Sequence, residues 1–364
     1  MSRTLDSTPA ADGFWMPGEF EPHAGCWMAW PERPDNWRDG ARPAQDAFAA
    51  VAEAIAVSES VTMAASAAEF KRCRGLLSPA IRVVELPADD AWMRDIGPTF
   101  VRDGNGRLRG VDWEFNAWGG HDGGLYERWD RDDRAAATVL EVEGVDRYRA
   151  PLVLEGGAIH VDGEGTVLST EECLLNPNRN PDLSREQIER HLRDHLGVEK
   201  VVWLGRGVFE DETDGHVDNL ACFARPGVVL LTWTDDETDP QHEISRDALE
   251  RLEATTDGRG RVFEIVRLPS PGPLTTSAAE AQGVESVPGS RPRRAGDRLA
   301  ASYVNFYLAN SRLVMPLLDE RTDEEAAEAL HGCFPEREIV GVPAREILLG
   351  GGNIHCITQQ VPAT

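Results

Sequence analysis

One alternation of apolar and polar positions recurs along the chain. A polar, often acidic residue leads into an apolar run, a tight turn follows, and a second apolar run returns. The first copy runs from Asp95 through Phe100 and Val101, turns at Asp103-Gly104-Asn105-Gly106 and returns through Leu108 and Val111. The second leaves Glu155-Gly156-Gly157 through Ile159 and Val161, turns at Asp162-Gly163-Glu164-Gly165 and returns through Val167 and Leu168. The third goes from His216-Val217-Asp218 through Leu220 to Phe223, turns at Arg225-Pro226-Gly227 and returns through Val228 to Leu231. The fourth runs from Tyr303 to Leu308, turns at Ala309-Asn310-Ser311 and returns through Leu313 to Met315. Turn residues between apolar runs predict hairpins. The segment Gly350 to Cys356 begins like another first strand. His23 to Trp30 is its candidate partner, which would close a ring with both chain ends.

Helical spacing fills the intervals. Ala44 to Val57 places Phe48, Val51, Ala52 and Ile55 on one face. Ser184 and Gln187 form a capping box ahead of Ile188, Leu192 and Leu196, with Gly197 as the stop. Ile244 to Ala254 and Thr322 to Leu330 read similarly, the latter with Thr322 and Glu325 as a box. A hairpin-plus-helix unit thus recurs roughly five times, which points to a radial arrangement with the leading polar residues at the centre. The competing reading is an ordinary α/β sheet with coincidental hairpins. Pro269 to Asp297, rich in Pro, Ser, Gly and Arg, reads as a long surface loop within one domain.

Composition narrows the class. With 364 residues the chain can bury a substantial core. Its six cysteines (Cys26, Cys73, Cys173, Cys222, Cys333 and Cys356) form no CxxC pair, so a disulfide framework or zinc knuckle is not expected and a reducing cytoplasm is. No apolar run of about 18 residues exists to suggest a membrane span, and Met1 to Gly13 lacks a signal-peptide pattern. A net charge of -26 disfavours nucleic acid and anionic membranes as partners and draws in small cations. Lys71 and Lys200 are the only lysines, so arginine carries nearly all the positive charge.

The leading residues bring chemistry. Asp95, Glu155, His216, Asp218 and Cys356 combine a thiol, an imidazole and three carboxylates. On a strand His216 and Asp218, two apart, would face the same side. A thiol with a nearby imidazole is equipment for covalent catalysis. Carboxylates oppose thiolate formation, so they would be out of place in an acyl-transfer site. They suit a guanidinium, a planar cation whose N–H donors want paired acceptors and whose charge favours the thiolate once bound. Each member alone has a plainer reading: Cys356 as a buried thiol, His216 as a turn cap, Asp95 as an ion pair with Arg94, Glu155 as a turn closure. Asp162-Gly163 reads only as a turn. A metal site on His216, Asp218 and Cys222 matches no strong zinc spacing.

Longer runs carry a resemblance. Phe14-Trp15-Met16-Pro17-Gly18-Glu19, Trp30-Pro31-Glu32-Arg33-Pro34-Asp35-Asn36-Trp37, Phe115-Asn116-Ala117-Trp118-Gly119-Gly120 and Glu171-Glu172-Cys173-Leu174-Leu175-Asn176 are among them. So are Thr232-Trp233-Thr234-Asp235-Asp236, Ala301-Ser302-Tyr303-Val304-Asn305-Phe306-Tyr307 and the Gly350 to Gln360 run. From about Gly13 to Pro362 the chain resembles the agmatine deiminases, within the guanidino-group-modifying superfamily that includes arginine deiminase and amidinotransferases. The Arg-Asp, Glu-Gly-Gly, His-x-Asp and C-terminal Cys elements mark the superfamily, and the longer runs narrow it to the agmatine branch. Pro177 departs from the lysine expected after Asn176.

The resemblance implies a five-bladed α/β propeller with pseudo-five-fold symmetry (the pentein fold), as one catalytic domain over 13–362 behind an extended or disordered tail at 1–12. It implies Cys356 as nucleophile, His216 as general acid and then base, and Glu155 as its orienting charge. Asp95 and Asp218 would hold the guanidinium, Trp92 and Trp118 would wall the aliphatic stem, and Glu212 would meet the distal ammonium. It implies hydrolysis of agmatine to N-carbamoylputrescine and ammonia without metal or organic cofactor, and leaves room for a homo-oligomer. Deimination of arginine or peptidyl arginine, amidino transfer to an amine, and binding of a guanidine or polyamine without turnover remain alternatives. For free arginine no fixed cation to meet its carboxylate is evident in the sequence.

Overall fold

A computed structural model describes residues 2–364, as a mixed α/β fold with five separate sheets. One unit underlies all five. Two antiparallel strands are followed by a helix, and a third strand then pairs parallel to the second. Thr99–Asp103, Leu108–Glu114, the helix Asp132–Glu143 and Asp146–Val153 make the first unit. His160–Val161, Thr166–Thr170, the helix Arg185–Leu196 and Lys200–Leu204 make the second. Ala221–Arg225, Val228–Trp233, the helix Pro240–Glu253 and Glu264–Pro269 form the third, and Tyr307–Leu308, Arg312–Leu317, the helix Asp323–Cys333 and Glu338–Pro343 the fourth.

The fifth unit joins the chain ends. Thr358–Pro362 pairs antiparallel with His23–Ala29, and Ser60–Ala65 follows the helix Arg42–Ala56. The strand therefore begins after Cys356, and the Gly350 to Cys356 segment is a series of turns leading into it. Near the N-terminus, Thr4–Leu5 runs along the outer edge of the first sheet beside Arg147 and Tyr148, and Phe14–Trp15 along its other edge.

The first two hairpin turns and the turn ahead of Glu264–Pro269 share a construction. Asp103, Asp162 and Asp257 each use Oδ1 to accept backbone N–H groups from two and four residues ahead. Such aspartate turns fold locally. Burial then decides helix placement. The Arg42–Ala56 helix buries Phe48, Val51, Ala52 and Ile55, with each large apolar side chain contributing about 1.5–3 kcal/mol. The Ser184 capping box and the left-handed Gly197 bound the Arg185–Leu196 helix. Thr322 makes no side-chain cap. Asp323 accepts the N–H groups of Leu318 and Asp319 instead, tying the helix start back to the preceding strand. Among the described residues no helix is long and apolar enough to cross a membrane.

Candidate active site

The chemical residues do not start strands. Each sits on a short turn just ahead of the first strand of a unit. Asp95 lies in the one-turn helix Met93–Ile96, Glu155 immediately precedes the 3-10 turn Gly156–Ala158, and His216 caps Val217–Leu220, which contains Asp218. Residues two apart on a helix diverge. His216 and Asp218 still converge because His216 has extended torsions (φ -52°, ψ 142°) while Asp218 is in the first turn.

The fourth unit adds a residue not singled out in the sequence. Asn305, in the turn ahead of Tyr307–Leu308, donates from Nδ2 to Cys356 Sγ at 3.3 Å and accepts from the His355 N–H through Oδ1 at 2.9 Å. Its signal was positional: it stands in the fourth repeat where the others carry Asp, Glu or His. Asp95, Glu155, His216, Asp218, Asn305 and Cys356 are all buried and meet at one place. Two glycines allow the approach. A side chain at Gly157 would meet His216 Nδ1 at 2.5 Å, and one at Gly156 would meet the Arg94 carbonyl at 2.2 Å.

His216 lies between two carboxylates, with Nε2 3.5 Å from Glu155 and Nδ1 3.8 Å from Asp95. The other Glu155 oxygen accepts from Arg179 Nε at 2.8 Å. Arg179 also donates to the Thr213 carbonyl at 2.8 Å and to Asp214 at 2.6 Å. Sequence spacing did not point to Arg179, which sits in an irregular loop after Asn178. Asp95 accepts from the Gly157 N–H at 2.9 Å and from Trp118 Nε1 at 2.8 Å. Asp218 Oδ2 lies 3.5 Å from Cys356 Sγ and 2.8 Å from His355 Nδ1, whereas Oδ1 is buried with no partner.

These contacts set the charges. Burial raises the Cys356 thiol well above its ordinary range, and the Asp218 and Asp95 carboxylates add to it. Burial alone would lower His216, but Asp95, Glu155 and Cys173 outweigh it and hold the imidazole protonated well above its ordinary value. Burial raises Asp95 to about 6, with Asp218 and Glu155 adding to the effect against the pull of His216. Glu155 is also buried, yet Arg179 and His216 bring it down to about 2. Asp218 is likewise lowered against burial, chiefly by His355. At rest the site holds a neutral thiol beside an imidazolium.

Above them opens a narrow cleft lined by Trp92, Trp118, Tyr126, Asp95, Gly350 to Gly352 and Cys356. Trp92 is anchored by its Nε1 on Asp90 at 3.0 Å, and Gly352 leaves room for its ring. Glu212 lines the cleft, but its oxygens already accept from Arg293 Nη1 at 2.8 and 2.7 Å. An ammonium that reached Glu212 would share it with that guanidinium. Arg293 comes from the Pro269 to Asp297 loop, which also brings Ser290 and Arg291 to the mouth. The loop is therefore part of the site. With Arg33, three arginines line the cleft, so fixed cations are present after all. Arg33 pairs with Asp35 at 2.6 Å, and Arg291 lies 3.7 Å from Glu212.

Two groups of donors lie within 4.8 Å of one another, Glu155 with Cys173 and His216, and Glu19 with His160 and His355. In each an arginine, Arg179 or Arg94, already neutralises the carboxylate at 2.8 Å, so neither reads as a metal centre.

The model of the Porphyromonas-type peptidyl-arginine deiminase family matches residues 15–362. The chain is 59% identical over 362 residues to an agmatine deiminase of Stutzerimonas stutzeri, covering 99% of this chain and 98% of that one. It is 58% identical over 359 residues to an agmatine deiminase of Pseudomonas aeruginosa, covering 98% of each. The solved structure of the agmatine deiminase of Enterococcus faecalis superposes with a TM-score of 0.97 at 48% identity, covering 100% of both chains.

Proposed function

This chain belongs to the Porphyromonas-type peptidyl-arginine deiminase family, and within it we propose that it is an agmatine deiminase, a hydrolase of the C–N bond of a linear amidine. It would convert agmatine and water to N-carbamoylputrescine and ammonia, a step towards putrescine. The observation that carries the reading is the unpartnered, buried Asp218 Oδ1 beside the Cys356 thiol. An acceptor left bare there costs about 1–3 kcal/mol, which a guanidinium N–H would relieve. We also read the five sheets as blades of an α/β propeller with pseudo-five-fold symmetry. In its support, the leading turns supply one shared site: Asp95, Glu155, His216 with Asp218, Asn305 and Cys356. A cytoplasmic location suits a reaction that needs a reduced thiol.

The chemistry follows from the charges. Asp95 and Asp218 hold the guanidinium between them, and the bound cation offsets the carboxylates that keep Cys356 protonated. The thiol proton is then lost to solvent. The thiolate forms an S–C bond to the central carbon, giving a tetrahedral adduct. His216 passes its proton to one amino nitrogen, the C–N bond breaks, and ammonia leaves a thiouronium on sulfur. Neutral His216 takes a proton from water, and the hydroxide adds to the same carbon. The C–S bond breaks with its electron pair returning to sulfur, and the remaining hydroxyl proton passes to solvent, where it protonates ammonia. Glu155, held ionised by Arg179, stabilises the imidazolium at both stages.

One feature favours a second reading. Arg33, Arg291 and Arg293 at the mouth offer partners for the carboxylate of arginine or of an acidic peptide. Arg33 and Arg293 are already held by Asp35 and Glu212, which leaves agmatine as the better fit. Ammonia release measured side by side on agmatine, arginine and an arginyl peptide decides between them. The expected result is a kcat/KM for agmatine at least about 10²-fold above the others. Faster turnover of either of the others would overturn the assignment.

A pH profile provides a second check. Guanidinium binding needs Asp95 ionised, and this carboxyl sits at about 6 in the free enzyme. kcat/KM should therefore climb about tenfold per pH unit above that value, as the thiol proton is lost, and fall about a hundredfold per unit below it. A slope unchanged down to about pH 5 would remove Asp95 from guanidinium binding.

A further inference from the structure

Asp218 is held by buried groups that take no part in the chemistry described above. His355 Nδ1 lies 2.8 Å from Asp218 Oδ2, and His355 Nε2 lies 3.0 and 3.1 Å from the two Glu19 oxygens. Arg94 Nη1 donates to Glu19 at 2.8 Å. All four residues are buried. The His355 backbone N–H is fixed by Asn305 Oδ1, which anchors the segment that carries the ring.

The protonation of His355 follows from this geometry. A neutral imidazole carries one N–H and one lone pair, so between two carboxylates its lone pair would face an anionic oxygen. Only the imidazolium donates to both. The neighbours agree with that charge. Glu19 and Asp218 are carboxylates lowered despite burial, opposite Arg94 and His355. His160, on the strand His160–Val161, accepts the Phe223 N–H on Nδ1, and burial holds it down to about 4, so it adds no charge. The thiols of Cys222 and Cys356 are raised by burial and remain protonated. Two anions and two cations are thus sealed together.

We propose that His355 is a permanently protonated positioning residue, which keeps Asp218 ionised and occupies Oδ2 so that Oδ1 alone faces the guanidinium. This assignment rests on the deiminase reading for the use of Asp218. The site then contains two imidazoliums with separate tasks. His216 gives up and regains its proton during turnover, whereas His355 never does. A histidine beside the nucleophile in sequence is thereby assigned a function distinct from proton transfer.

Nitrogen-15 NMR of the full-length wild type, labelled at histidine, tests the charge directly. Two histidines, rather than one, should remain doubly protonated at about pH 8. A spectrum with only one overturns the proposal, and this readout stands whatever the substrate proves to be. Kinetics test the consequence. In His355→Gln, and more weakly in Glu19→Gln, Asp218 loses its cationic support. The ionisation that Asp218 contributes to the kcat/KM profile, which lies below that of Asp95 in the wild type, should move up by about one pH unit or more and steepen the acid side, with KM raised about tenfold and kcat changed less. A structural defect alone would lower activity at every pH and leave the slope of the profile unchanged. An acid side no steeper than that of the wild type in a folded Glu19→Gln variant therefore overturns the positioning function, even if His355→Gln fails to fold. Absence of ammonia release from agmatine by the wild type would instead overturn the substrate assignment, with the profile then read on the guanidine that is turned over.

Discussion

Replacing Cys356 with alanine is expected to abolish ammonia release from agmatine, lowering kcat by at least about 10⁴-fold, while leaving agmatine binding intact. No other thiol can take over. Cys173 is buried behind Glu155, 3.9 Å from its carboxylate, and does not line the cleft. Losing Sγ removes weak contacts to Asn305 and Asp218 and leaves a small void, worth about 1 kcal/mol against a typical stability of about 5–15 kcal/mol. The guanidinium clamp of Asp95 and Asp218 is untouched, so calorimetry on the variant should give an affinity within about tenfold of the wild-type KM. The wild type should also show thiolate absorbance growing on agmatine binding, because the bound cation offsets the carboxylates that hold the thiol protonated. The variant should show none. Turnover by Cys356→Ala within tenfold of wild type would remove Cys356 as nucleophile.

Much of this arrangement was written in the chain, and what was missed has identifiable causes. The hairpins were legible because aspartate turns such as Asp103 and Asp162 organise themselves from neighbouring residues. The third strands were not, because segments such as Lys200–Leu204 are short and acquire their parallel partner only after a helix has brought them back. The Asp132–Glu143 helix escaped for another reason. Its buried face is largely alanine, Ala135 and Ala136 with Val139 and Leu140, and gives a weak apolar period. The five chemical residues were visible through the repeat. Their mounting on turns ahead of the strands was not, since four-residue helical turns leave almost no periodic signal. Partners such as Arg179 and Arg293 were invisible in principle. Arg179 reaches back 24 positions to Glu155, and Arg293 reaches 81 positions to Glu212.

The expected outcome for Asp218→Asn is a loss of about 10²–10³-fold in kcat/KM for agmatine, shared between binding and rate, with the fold retained. Asp218 offers two acceptors, Oδ2 held by His355 and Oδ1 buried without a partner and left for the guanidinium. An amide has one oxygen. If that oxygen faces His355, an NH₂ group points at the guanidinium. If it faces the guanidinium, the NH₂ group points at a charged His355. Either orientation sets donor against donor and leaves a buried cation without its anion, a cost of about 3–5 kcal/mol. Asp162→Asn makes the contrast. That aspartate accepts three hydrogen bonds within its own turn and does not line the cleft, so its loss should lower stability and spare KM. A further readout separates the contribution of Asp218 from general damage. Its carboxylate helps hold the Cys356 thiol up, so the asparagine variant should leave that thiol more acidic at rest. Alkylation of Cys356 in the free enzyme should then quicken while agmatine turnover slows. An enzyme that slows in both, or in neither, would contradict a carboxylate that suppresses the thiolate until a guanidinium arrives.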